Sequence, residues 1–372
     1  MKFIRFAAAA ALTLVLTGCG NGPKAPQGTV AAAYIDLGKT LSNIEDVIDD
    51  VLGELPSSMK EMREEVRNQI KEGKKAAKEN GFALSGFNWA MWTLAFDESA
   101  NQHIGLAVSV DSDMVEPLEK LLPVLGARDL EGKIAGETIR EIAVPNVGNL
   151  YCCILKGGLV LLAEPERIPS WERENTTRKE TDGIALLVKT YKGEIKPASG
   201  FGDIDDLDGN TIARVLAPEV GDALKARIGG NADEVKKMIE ETTGDEDLYD
   251  SITGLGDIMF DLNLDDDDFG FALTIETDCR SDAKILESWF EALTAGDARF
   301  LLDGALVFLA DGPMRRDFRR DPNLKKTFVE VRKLFDGAFD VDRSGSTVTL
   351  EVELDTDDVI EAIVDNTFAE AK

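Results

Sequence analysis

"IGLAVSVDSD", residues 104–113, and "FGFALTIETD", residues 269–278, line up residue for residue. Both alternate larger apolar side chains with small or polar ones and end on an acidic turn, the period-two pattern of a strand with one buried face. Upstream of them, "WAMWTLAFDE" (89–98) lines up with "DIMFDLNLDD" (257–266), Met91 falling on Met259. Downstream, "YCCILKGGLVLLAE" (151–164) lines up with "ARFLLDGALVFLAD" (298–311), again without a gap. Blocks recurring in the same order point to internal duplication, and that reading decides the expected fold.

Working outward, each half opens on a strand, "VAAAYIDL" (30–37) and "NTIARVLA" (210–217). In the first half "LSNIEDVIDDVL" follows, its apolar residues at 41, 44, 47, 48, 51 and 52 forming one helical face, and a charged helix is expected over 57–80. The matched strand pairs come next, with the acidic run Asp265–Asp268 in the second turn. Helices are expected around Leu118, Leu121, Leu122 and Leu125, and around Leu286, Trp289, Phe290 and Leu293. Tight hairpins then turn at 156–158 and 303–304, where Asp-Gly is a strong hairpin signal. "IALLVKTY" (184–191) and "STVTLEVELD" (346–355) read as last strands, and a closing helix spans 356–369. The fold class expected is α+β: two tandem copies of an antiparallel sheet unit with helices packed on one side. The copies occupy 29–195 and 210–372, joined by a linker at 196–209, "KPASGFGDIDDLDG".

The amino terminus has a different logic. Lys2 and Arg5 precede an apolar run, Phe6 to Leu16, interrupted only by Thr13, and Thr17-Gly18 are small. This is a secretory leader too short to span a bilayer. "LTGC", ending at Cys19, resembles the lipobox of bacterial lipoproteins. The resemblance covers residues 1–19 and implies removal of 1–18, a lipid (palmitate among its acyl groups) on Cys19, and attachment to a membrane through it. Gly20 follows, not the aspartate that marks inner-membrane retention in enteric bacteria. The resemblance therefore implies a cell-envelope protein, at the outer membrane facing the periplasm ahead of the inner membrane. Residues 19–28 read as the lipidated cysteine and a flexible tether.

The formal charge of −29 repels nucleic acid and anionic headgroups, so nucleic-acid binding is excluded. Hydrophobic residues at 44% suffice for a packed core. Beyond the anchor stand Cys152, Cys153 and Cys279. They read as buried small apolar residues, or as one bridge from Cys152 or Cys153 to Cys279, since neighbours on a strand point to opposite faces.

Familiar chemistries find no foothold. The single histidine, His103, reads as an exposed turn residue, and no zinc spacing or G-x-S-x-G motif exists. "GARDLEGK" (126–133) has the wrong spacing for a phosphate loop, and "DIDDLDGN" (203–210) fails the EF-hand register. The acidic clusters Asp203–Asp208 and Asp265–Asp268 read as solvated loops rather than calcium sites. Seventy acidic residues make a carboxylate pair for hydrolysis easy to find and uninformative.

The expectation is therefore a protein without catalysis, cofactor or metal, bound to the membrane through Cys19. It binds or scaffolds an envelope component. The alternative is a carrier of an apolar or lipid ligand between sheet and helices; a carboxylate hydrolase ranks below both. Trp89, Trp92, Phe96, Phe260, Trp289 and Phe290 are the candidate ligand or core aromatics. Arg315, Arg316, Arg319 and Arg320, on shared helical faces, are a candidate anion patch.

Overall fold

The computed structural model describes residues 22–367 except 56, 97–101, 145–147, 166–178, 244–247, 266–267, 298–321 and 336–337. Cys19, the leader, the arginines at 315–320 and the matched block 298–311 lie outside the described residues.

Alternating side chains build one open antiparallel sheet of twelve strands: β1 (Thr29–Asp36), β2 (Phe87–Phe96), β3 (Gln102–Val110), β4 (Arg128–Ile134), β5 (Glu137–Val144), β6 (Gly148–Leu155), β7 (Leu159–Ala163), β8 (Thr211–Ala217), β9 (Leu255–Leu264), β10 (Asp268–Thr277), β11 (Phe339–Ser344) and β12 (Thr347–Asp355). Their order is β11-β12-β10-β9-β8-β1-β2-β3-β7-β6-β5-β4. β1 and β8 pair at the centre, Tyr34 facing Arg214, so the sheet runs unbroken from the first half of the chain into the second. The described helices are α1 (Leu37–Glu54), α2 (Lys60–Glu79), α3 (Val115–Val124), α4 (Asp182–Tyr191), α5 (Val220–Ile228), α6 (Ala232–Thr243), α7 (Leu248–Thr253), α8 (Arg280–Asp297), α9 (Pro322–Leu334) and α10 (Thr356–Thr367).

α1 starts where Asp36 caps it, its Oδ1 accepting from the Lys39 amide at 2.8 Å. It runs along strand ends, with Lys39 Nζ donating to the Gly209 and Thr211 carbonyls and Asn43 to that of Leu264. Leu52 and Leu55 then pack with Ile360 and Val364 of α10.

Three expectations change. Residues 184–191 are helix α4, not a strand: Ile184, Leu187 and Val188 fall on one helical face and are fully or almost fully buried. Helices also cover both faces of the sheet, not one. α4 packs with Cys153, Leu161, Ala107 and Met91, whereas Leu122 of α3 packs with Cys152, Ile142 and Leu162. Cys152 and Cys153 are neighbours on β6, so these two clusters lie on opposite faces. Finally, β4 and β5 form a hairpin that the sequence reading left out, its outer strand almost wholly exposed.

Parts of the segments read as linker and tether enter the core. Phe201 and Ile204 are buried in the α4-side cluster, together with Ala25. The Ala198 amide donates to the Ala25 carbonyl at 2.9 Å, and the Lys24 amide donates to the Tyr191 hydroxyl at 3.0 Å. Pro26 is fully buried as well. Among the described residues Lys24 is the first held by these hydrogen bonds, and residues 20–23 separate it from Cys19 in the sequence.

Candidate functional site

Cross-strand register assigns the paired strand residues to faces, and the two faces differ in chemistry. One row, traced from partner to partner, reads Cys153, Leu161, Ala107, Met91, Tyr34, Arg214, Asp261, Ala272, Glu351 and Asp340. On this face the first half is apolar beneath α4 and the 198–207 segment, while the second half is acidic, with Asp340, Asp342, Glu351 and Glu353 exposed. The change happens at Arg214 and Asp261. These two meet through Nε–Oδ1 at 2.7 Å and Nη2–Oδ2 at 2.8 Å, both largely buried.

The neighbouring row points to the opposite face: Cys152, Leu162, Leu106, Trp92, Ala33, Val215, Phe260, Leu273, Leu350 and Val341. It contains no charged residue across ten strands. At one side α3 covers it through Leu122, and at the other α8 covers it through Phe290 and Ala283. Between those helices the apolar floor stays open to solvent. Trp92 is 40% exposed, Val215 41% and Ile104 39%. Leu94 pairs with Ile104 and shares this face, being two residues from Trp92. The result is an apolar trough, with α3 and α8 as its walls.

The six candidate aromatics do not converge. Trp92 and Phe260 share the trough floor, where the Phe260 ring stacks on Phe271 with centroids 5.5 Å apart. Phe96 lies on the same face at the end of β2. Trp89 is buried under the other face, tilted against Tyr34 at 6.1 Å between centroids. Phe290 is core beneath α8, while Trp289 beside it is 52% exposed. Val215, Ile104 and Leu94 are trough residues that the sequence reading missed. Strand alternation placed them on a face but could not say that this part of it stays open to solvent between α3 and α8.

His103 is buried within β3, not exposed in a turn. All three described cysteines are free. Burial pushes the Cys152 thiol up to about 11 and the Cys153 thiol up to about 12, Glu137 adding to the second. Both therefore stay protonated and act as small apolar residues. Among the described residues no group of three His, Cys, Asp or Glu side chains could hold a metal ion. No helix among them is long and apolar enough to cross a membrane. A polar cleft of about 150 Å³ lies on the acidic face, lined by Asn210, Asn263, Asp268, Glu351 and Glu353. A wider one of about 580 Å³ lies between Gly28, Lys196–Ser199 and Glu219.

No protein-family model matches the chain, and no curated protein does. Among solved structures, crystal form I of TP0453 aligns at 9% identity over 93% of this chain and 98% of that one, with a TM-score of 0.37. Crystal form IV of the same protein aligns at 9% identity over 92% and 97%, with a TM-score of 0.37.

Proposed function

We propose that this is an exported lipoprotein of the cell envelope, held to a membrane by a lipid on Cys19, which performs no catalysis and binds another envelope component. The observation that carries this reading is the open apolar trough. Trp92, Ile104 and Val215 each keep about two fifths of their surface in water on a face whose flanks are covered by helices. A contiguous apolar patch exposed in this way marks a site of association rather than a scattering of surface residues. Tryptophan is also the residue type that most often anchors such contacts. The outer membrane, periplasmic side, is the favoured location.

A second reading, a carrier of an apolar ligand, is favoured by the shape of the same site. α3 and α8 make a walled trough instead of a flat patch, and concavity suits a ligand.

We also propose that the sheet arose from two tandem copies, now fused through β1 and β8. With Tyr34 and Arg214 at the centre, Ala107 and Ala272 occupy equal positions outward, as the match of 104–113 to 269–278 requires. Met91 then corresponds to Asp261 and not to Met259. The match between those two upstream blocks is therefore displaced by one pleat.

The test has two parts. Labelled palmitate should enter the wild-type chain and not Cys19→Ser; equal labelling of both would sink the anchor. A photo-crosslinking residue at Val215, in cells, should capture a discrete product that the same residue at the exposed position Asp208 does not. Identical patterns at both positions would remove the trough as the binding surface.

A further inference from the structure

The two edges of the sheet are built differently. At one of them β4 is interrupted: Asp129 faces Arg140 and Lys133 faces Thr138, so four steps along β4 span two along β5, and Gly132 sits within the excess at φ +91°. A bulge of this kind bends the outer strand and closes it to further pairing. At the other edge β11 pairs with β12 without a shift, from Phe339 opposite Val352 to Ser344 opposite Thr347. It holds no proline or glycine, and among the described residues no strand lies beyond it. Its outward amides and carbonyls are therefore a regular template for one more strand.

The two faces of that edge state what an added strand must carry. Phe339 and Val341 point toward α8 and pack with Phe290, Val348 and Leu350. Arg343 shares their face and donates from Nε to Glu287 Oε2 of α8 at 2.6 Å, so the helix reaches the edge strand. Asp340 and Asp342 point to the other face and are exposed. Asp340 lies directly opposite Glu351, also exposed, and like charges so placed repel. A lysine or arginine next in that row would turn the repulsion into attraction.

We infer that β11 takes an extended polypeptide segment in which basic and apolar residues alternate, added to the sheet as a further strand. Main-chain hydrogen bonds supply the docking and the alternate side chains the selection. Basic residues stand beside Asp340 and Asp342, and apolar ones continue the face that α8 covers. A second copy of this chain does not meet the requirement. Two β11 strands related by a two-fold axis normal to the sheet would set Asp340 and Asp342 against the same aspartates, and β4 is closed by its bulge. The formal charge of −29 repels other acidic chains and steers a basic one. The inference rests on neither the anchor nor the trough, whose open floor lies on β1, β2, β3 and β8, away from this edge.

The experiment titrates the full chain, in detergent at physiological ionic strength, into a fluorescein-labelled peptide of alternating lysine and valine as long as β11, read by fluorescence polarisation. Saturable binding is expected, with hydrogen exchange slowed at 339–344 and unchanged at 128–134. A peptide of the same composition with its lysines in one block should bind about tenfold more weakly, and so should the alternating peptide with methylated backbone nitrogens. Asp340→Lys combined with Asp342→Lys should reject the lysine peptide and accept one that alternates glutamate and valine, an exchange that a misfolded variant does not produce. Absence of binding overturns the inference. Equal binding of the block or methylated peptide, or protection elsewhere than 339–344, also overturns it by marking nonspecific attraction to an acidic surface. Retained preference for the lysine peptide in the double variant does the same.

Discussion

Arg214 on β8 and Asp261 on β9 join side by side in two parallel hydrogen bonds, 2.7 and 2.8 Å long, at the boundary between the apolar and acidic parts of one sheet face. The remaining guanidinium nitrogen, Nη1, donates to the carbonyls of Asp203 and Asp206 at 3.2 and 2.9 Å. One side chain thus fastens the crossing segment to the sheet, and Phe201 and Ile204 of that segment are buried beside it. The hydrogen bonds that Arg214 donates to Asp261 raise the guanidinium pKa above its already high value, so Arg214 stays charged.

Removing one partner should be costly. Arg214→Ala leaves the Asp261 carboxylate buried without a counter-charge and frees two carbonyls, an expected loss of about 3–5 kcal/mol. Replacing both, Arg214→Met with Asp261→Leu, should recover much of that loss. Urea denaturation reads the stabilities, and hydrogen exchange at 201–206 should rise in both variants. Equal stability of the single and double variants would show that the pair does not act as a unit.

The pattern on β12 made its strand legible, because the buried Val348, Leu350, Val352 and Leu354 alternate with half-buried or exposed residues in the structure as they alternate with polar ones in the chain. α4 was not legible for a physical reason. Eight mostly apolar residues ending in Tyr191 satisfy a buried strand and a buried helix equally, and only packing against Met91 and Leu161 decides between them. The β4–β5 hairpin escaped because its outer strand is nearly all exposed, so burial leaves no periodic trace there. The apolar trough was half legible: Trp92 and Phe260 stood out by size. Their common row and their solvent exposure depend on the register across β1 and β8, which no local stretch encodes.

Thiol chemistry should separate the cysteines. In protein beginning at Gly20, Cys279 is exposed, while Cys152 and Cys153 are almost completely buried. At pH 8 an aromatic disulfide reagent should titrate one thiol quickly and two only on unfolding. Three fast thiols would contradict the burial.

Those two cysteines also give the pH dependence a sign. Their folded pKa values, about 11 and about 12, lie above the ordinary 9.0. Below pH 9 both states hold the protons and the thiols contribute no slope. Between about pH 9 and 12 the unfolded chain ionises first, so stability falls as pH rises. Tyr34 and Tyr191, raised chiefly by burial, add to the fall above pH 10. Melting temperature followed from pH 8 to 11 should decline, and the Cys152→Ala/Cys153→Ala variant should decline less steeply. An identical slope would assign the alkaline loss elsewhere.

Two tryptophans three positions apart should respond in opposite ways. Trp89 is buried against Tyr34, and Trp89→Ala should cost about 3–5 kcal/mol. Trp92 is 40% exposed, so Trp92→Ala should cost about 1 kcal/mol or less and act on binding instead. Denaturation curves paired with crosslinking at Val215 test the split. A large stability loss for Trp92→Ala would place that ring in the core and remove it from the trough.

The amino-terminal seat can be undone at one backbone position. Gly28 has φ +83°, and a Cβ built on it would run into the Phe96 carbonyl, the group next to the junction that stitches the entering chain to β2. Gly28→Ala therefore meets both left-handed strain and a backbone clash, at an expected cost above about 1 kcal/mol. The segment before it should come free, exposing Ala25 and Pro26 and releasing the Tyr191 hydroxyl from the Lys24 amide. Hydrogen exchange at residues 24–29 should accelerate in this variant and remain slow in Gly22→Ala, where a Cβ meets nothing within 4 Å. Equally slow exchange in both variants would show that the Gly28 backbone does not hold the amino-terminal seat.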